Sequence, residues 1–206
     1  MLALKSKQSW LFPAALLLLM ALLVWRAPVE QSLGQGIKIV YVHVGLIWAG
    51  MLGFALNGLL GLVTAVTGSK KLADWLHIIG LVSLSVFVVS VIVSLVAEQV
   101  NWGGIFWQEP RNTAVFSVTA VAIIVFVLNS WLPWWRVQGL LAAGLSAFAI
   151  LTLPSAPMVM HPENPARTSS SMGIQYGFYG VFVLAVLMGV WAVWYWRPGR
   201  GTAVTT

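Results

Sequence analysis

Six apolar runs, joined by short polar links, fill this chain from Trp10 to Trp196. A helix needs about 20 apolar residues to cross a ~30 Å hydrocarbon core. In lipid, every backbone N–H and C=O must find its partner within the protein, so apolar runs of this length read as helices. Charge points the same way. Only 8% of the residues are charged and 60% are hydrophobic, against about 25% charged in an ordinary soluble domain. A chain so poor in charge cannot cover a water-facing surface. The sequence predicts an all-α, polytopic integral membrane protein, one membrane domain over residues 1–206, with membrane lipid as its solvent.

The crossings are expected at about 10–25, 37–67, 72–97, 113–131, 137–153 and 174–196. The first follows Lys5 and Lys7. It has the basic start of a signal peptide, but no small-x-small site follows at Trp25-Arg26-Ala27-Pro28, and it is read as a retained helix. In the second, Gly45, Ala49, Gly53, Asn57 and Gly61 recur every four residues. That is a seam along which a neighbouring helix can approach closely, with Asn57 as interhelical glue. Gly68-Ser69-Lys70-Lys71 is expected to close this helix with a polar, basic turn.

Six crossings put both termini on one side. That side then holds Lys5, Lys7, Lys70, Lys71, Arg136, Arg197 and Arg200, and the other holds Arg26, Lys38, Arg111 and Arg167. Seven against four places the termini in the cytoplasm by the positive-inside rule. The +6 net charge does not point to nucleic acid, because the basic residues are scattered through short links. Glu30, Glu98, Glu109 and Glu163 fall on the outer face.

Two outer segments stand out. Asn101 to Thr113 contains Trp102, Gly103, Gly104, Phe106, Trp107 and Pro110. It is too polar and too rich in helix breakers to cross a bilayer, and is expected to form an aromatic hairpin between the third and fourth helices. An aromatic belt that only anchors two helices is the simpler reading. Residues 154–171 carry four prolines, which argue against a regular helix across them.

Topology then sorts the histidines. His77 falls near the cytoplasmic end of the third crossing, some 30 Å across the core from the outer face, and reads as a packing residue. His43 and His161 come from distant parts of the chain, yet share the outer face with the hairpin. Cysteine is absent, which removes disulfides, thiolate ligands and thioether attachment of haem. Two neutral imidazoles suit the iron of a non-covalently bound, b-type haem, one on each side of the ring. Arg111 and Arg167 would each match a propionate. Zinc or copper would want three or four protein ligands.

These residues carry a resemblance. The hairpin resembles the tryptophan-rich WWD motif, roughly W-G-x-x-W-x-W-D-P/A-K/R-x-T, of the haem-handling proteins of cytochrome c maturation. Trp102, Gly103, Pro110, Arg111 and Thr113 match it. Phe106 and Gln108 stand at the second and third Trp, with Trp107 between them, and Glu109 replaces the Asp. Tyr41-Val42-His43-Val44 is similar to the context of that family's first outer histidine, with Gly45 in place of its usual Pro. Leu153-Pro154 followed by His161 resembles that of the second. Six crossings and the chain length resemble the haem exporter protein C branch, over about residues 37–196. The resemblance implies haem held on the outer face of the plasma (inner) membrane and passed to a membrane-tethered haem chaperone. It also implies ATP-binding-cassette subunits as partners, since this chain has no G-x-x-x-x-G-K-[ST] of its own. It implies a delivery protein and not an enzyme, although covalent haem transfer to a partner remains compatible with it. Two other classes stay open. One is an accessory subunit of a respiratory or photosynthetic membrane complex. The other is a small-solute transporter, against which stands the absence of charge from the middle of any crossing.

Overall fold

The computed structural model describes residues 10–157 and 169–198. Among them six helices run α1 (Leu11–Arg26), α2 (Ile37–Thr67), α3 (Lys70–Trp102), α4 (Pro110–Trp131), α5 (Trp135–Ser155) and α6 (Met172–Tyr195). The architecture is all-helical. Five of the helices, α2 to α6, are long and apolar enough to cross a membrane; α1 has 16 residues and falls short of that length. The protein is a multi-pass membrane protein by this measure. Its outward surface is apolar, with Leu17, Leu59, Val66 and Leu151 all more than half exposed.

The bundle is organised around α2, which packs chiefly against α3 and α5 and then α6. It is the shared wall of two cores. Phe54 on one side joins Phe87, Val118 and Ala149, where α2, α3, α4 and α5 meet. Ile37, Tyr41 and Ala49 on the other side join Met20, Phe178 and Val181 from α1 and α6. Tyr41 meets Phe178 edge-on at 4.7 Å between ring centres, and its hydroxyl donates to Pro28 O at 2.8 Å.

The four-residue seam on α2 serves three neighbours, not one. A Cβ on Gly45 would strike Val181 of α6, one on Gly53 would strike Ser83 of α3, and one on Gly61 would strike Gly139 O of α5. The reason is geometric. Four residues turn an α-helix about 40° past a full circle, so a strict four-residue repeat winds slowly round the helix. Close approach matters here because lipid offers no hydrophobic drive between helices, and packing must supply the attraction.

Several helix ends are closed by identifiable groups. Gly68 and Gly103 adopt left-handed backbones, φ +67° and +75°, and their N–H groups donate to Thr64 O and Gln99 O. Glycine takes this conformation without a Cβ penalty. Arg136, from the start of α5, donates to Ala65 O and Val66 O and so satisfies the last carbonyls of α2. Lys70 pairs with Asp74 at 2.9 Å and sits over the Trp135 ring. Lys70, Lys71, Arg136 and Arg197 are thus gathered at one end of the bundle. Trp10 contacts Trp191 and Tyr195 at that same end, where exposed Trp131, Trp134 and Trp196 complete an aromatic belt.

The opposite end holds the links from α1 to α2 and from α3 to α4. In the first, the Glu30 carboxylate accepts from Ser32 N, the Ser32 hydroxyl and Leu33 N. The Ser32 hydroxyl, then the Leu33 amide, hold this carboxyl below its ordinary range. In the second link the expected boundaries shift. α3 continues to Trp102 and α4 begins at Pro110, which leaves only residues 103–109 outside helix. The expected thirteen-residue hairpin is therefore a seven-residue turn. α3 can run on because its late polar residues find partners: Asn101 Nδ2 donates to Ala97 O and Gly36 O, and Glu98 is turned inward. Pro110 starts α4 because the first helical position needs no N–H. Pro154, expected in a loop, lies within the last turn of α5.

Candidate functional site

The turn at 103–109 is held by its peptide groups, and chiefly by those of Phe106. Phe106 N–H donates to Glu98 Oε2 at 3.0 Å. Phe106 O accepts from Glu109 N–H at 3.0 Å and from Asn112 Nδ2 at 3.0 Å. Glu98, Glu109 and Asn112 are all buried. Glu98 is the most enclosed, at 1% exposure, and its Oε1 has no hydrogen-bond partner among the described residues. Glu109 also starts α4, its carbonyl accepting the Thr113 N–H at 3.1 Å. The aromatic side chains ride on this clamp. Phe106 and Trp102 are half-buried, while Trp107 is 63% exposed and stacks on Phe116 at 5.9 Å. Gly103 and Gly104 have open space where a Cβ would stand.

His43 is half-buried in the second turn of α2, against α3. Its Nδ1 lies 3.2 Å from Ser90 O, and the Ser90 hydroxyl donates back to His43 O at 3.4 Å. A carbonyl oxygen only accepts, so this hydrogen bond assigns the proton to Nδ1 and the lone pair to Nε2. A ring N–H tied to a backbone carbonyl is the usual support of a metal-ligating histidine, because it fixes tautomer and ring orientation and raises ligand basicity.

Arg111 also has a partner within the fold. Its Nη1 donates to Leu153 O in the last turn of α5, so it staples α4 to α5. One arm of its fork is therefore committed within the fold, and only its remaining N–H groups suit an outside carboxylate. His161 and Arg167 lie outside the described residues. His77 stacks on Phe126 at 4.9 Å and faces a cavity of about 20 Å³ together with Asn57 and Asn129, in keeping with a packing role. It is nearer His43 than expected. Ser90, the partner of His43, is thirteen residues along α3 from His77, about 20 Å of helix.

The structure therefore brings Trp102, Gly103, Phe106, Trp107, Glu109 and Arg111 together at one end of the bundle. His43 lies about 9 Å below the start of α2 at that end, counting six residues of helical rise. Haem fits the residues present in two respects: an imidazole with Nε2 as its lone-pair nitrogen, and an aromatic turn at the same end. Among the described residues no group of three or more His, Asp or Glu is placed to hold a bare metal ion. Sequence reasoning missed Ser90, Glu98 and Asn112, which hold His43 and the turn from behind. Glu98 carried a readable signal, since an acid at the end of an apolar run is costly unless something uses it.

The clamp has a direct test. Glu98→Ala leaves the Phe106 N–H without its acceptor, whereas Glu98→Gln keeps an acceptor oxygen. An orphaned buried donor costs about 1–3 kcal/mol. Amide exchange at Phe106 should therefore speed up roughly ten- to hundredfold in Glu98→Ala and only slightly in Glu98→Gln. Unchanged protection in the alanine variant would remove Glu98 from the account of this turn. Compared with known proteins, the chain matches no family model, no curated protein and no solved structure.

Proposed function

We propose that this is a haem-handling membrane protein of cytochrome c maturation, with haem as cargo and not as a resident catalyst. His43 and His161 are the two axial ligands. The aromatic turn, with Trp102, Phe106 and Trp107, is the apolar surface for the macrocycle. Arg167 and the remaining N–H groups of Arg111 serve the propionates. In this reading the chain crosses the inner membrane six times with cytoplasmic termini, holds haem on the outer face, and passes it to a membrane-tethered haem chaperone. ATP-binding-cassette subunits supply the energy. The observation that carries the reading is the His43 Nδ1–Ser90 O hydrogen bond, which in the neutral imidazole leaves the lone pair on Nε2, a nitrogen able to ligate iron.

Firm but reversible binding is what delivery requires, and two unequal ligands provide it. His43 is oriented by α3, so it retains the cargo while His161 releases. The accessory-subunit reading is favoured by two features: Phe106 and Gln108 in place of motif tryptophans, and the commitment of Arg111 to Leu153 O. An absorption spectrum of protein purified from haem-replete membranes separates the two. A Soret band with low-spin α and β bands at about one haem per chain supports haem handling. A haem-free protein that also fails to take up added haem rejects it.

A further inference from the structure

An apolar groove of about 350 Å³ opens sideways between α2, α3 and α6, lined by residues that include Gly53, Trp75, Ser83, Val86, Gly189 and Trp194. It offers almost no polar surface. The Ser83 hydroxyl is already spent on Ile79 O at 2.7 Å. Gly53 and Gly189 make the floor deep, and a Cβ on Gly189 would meet only Val82, at an ordinary 3.8 Å. The groove lies on the opposite half of the bundle from the aromatic turn.

Its length limits what can occupy it. From Trp75 to Val86 along α3 is eleven residues, about 16 Å of helix. That is half of a ~30 Å hydrocarbon core, the depth of one leaflet. A crossing helix from a partner would need a groove through both leaflets. One lipid tail needs only this much.

The mouth adds a charge preference. Trp75 and Trp194 stand at the end of the groove nearest the basic end of the bundle, where tryptophan suits the membrane boundary. Each has a cation beside it. Lys71 is exposed and lies one helical turn before Trp75, on the same face of α3. The Arg197 guanidinium sits 4.5 Å from the Trp194 ring centre, with Nη1 donating to Trp194 O. A tail in the groove would leave its head group between these two cations.

We propose that this groove is a binding site for an anionic phospholipid, one acyl chain seated from Trp75 and Trp194 to Val86 and the phosphate facing Lys71 and Arg197. The test uses the full chain in nanodiscs of equal phosphatidylglycerol and phosphatidylcholine, with lipids still bound after release counted by native mass spectrometry. The wild type should retain one phosphatidylglycerol per chain in preference to phosphatidylcholine. Gly189→Phe, which fills the groove without striking backbone, should lose that lipid. Lys71→Gln with Arg197→Gln should retain a lipid but lose the preference for phosphatidylglycerol, at about fivefold per cation near a membrane surface. Retention unchanged in Gly189→Phe, no head-group preference in the wild type, or a co-purifying single-span protein in place of lipid would each overturn the site. If Gly189→Phe does not fold, the two charge changes decide: an unaltered preference for phosphatidylglycerol overturns the proposal.

Discussion

His43→Ala should leave the purified protein largely haem-free, and His161→Ala should leave it five-coordinate with reduced occupancy. The asymmetry comes from the support behind His43. Ser90 O holds its Nδ1 and so fixes the direction of Nε2, and a hydrogen-bond partner on the far nitrogen of a ligating histidine typically matters ten- to hundredfold in metal affinity. The double variant should bind no haem. Added imidazole should restore part of the low-spin spectrum in either single variant, because a free ligand can occupy the vacated axial position. His77→Ala should leave the spectrum as it was, since His77 packs on Phe126 about 20 Å of helix away. Wild-type spectra in both single variants would end the bis-histidine reading and favour the accessory-subunit one.

Gly139→Leu should destabilise the bundle strongly. The α2–α5 contact is backbone on backbone: a Cβ on Gly139 would strike Gly61 O and lie 2.6 Å from Ala65 N, and a Cβ on Gly61 would lie 2.6 Å from Gly139 O. Backbone atoms of two packed helices cannot step aside as a side-chain tip can. Overpacking typically costs about 1–3 kcal/mol, and a leucine here should reach the upper end of that range. Gly144, one and a half turns further along α5, is the internal control, since a Cβ there meets nothing within 4 Å. Gly144→Ala should be neutral or stabilising by up to about 1 kcal/mol through helix propensity. Unfolding in mixed micelles measures both. Equal stability of Gly139→Leu and Gly144→Ala would refute the close α2–α5 contact.

The parts of this molecule that could be read from the chain are those where lipid is the deciding solvent. Apolar runs became helices at nearly the expected residues, because hydrocarbon leaves a backbone few alternatives. The Gly68 turn was legible for a similar reason, as one residue type suits a left-handed end. What could not be read was which surface each residue faces. Gly45, Gly53 and Gly61 share a four-residue spacing, yet each meets a different helix. Glu98 reads as an outer-face acid, and no spacing tells that it is buried beneath a turn that its own carboxylate holds. Arg111 matched a motif position, and its nearest use is a carbonyl 42 residues further along the chain. Such contacts depend on the rotation of helices about their axes, which a spacing of apolar residues leaves undetermined in a bundle with lipid on nearly every side.

α1 packs mainly against α6, the helix farthest from it along the chain, and only slightly against α2. Its aromatic contacts, Trp10 to Trp191 and Tyr195, are with the far end of that same helix. During synthesis α1 therefore has to wait in the bilayer while residues 27 to 171 are made. At about 5–20 residues per second this is about 7–29 s. For that interval α1 has only its slight contact with α2 available to it. Arrival of α6 is the event that gives α1 the face it packs on.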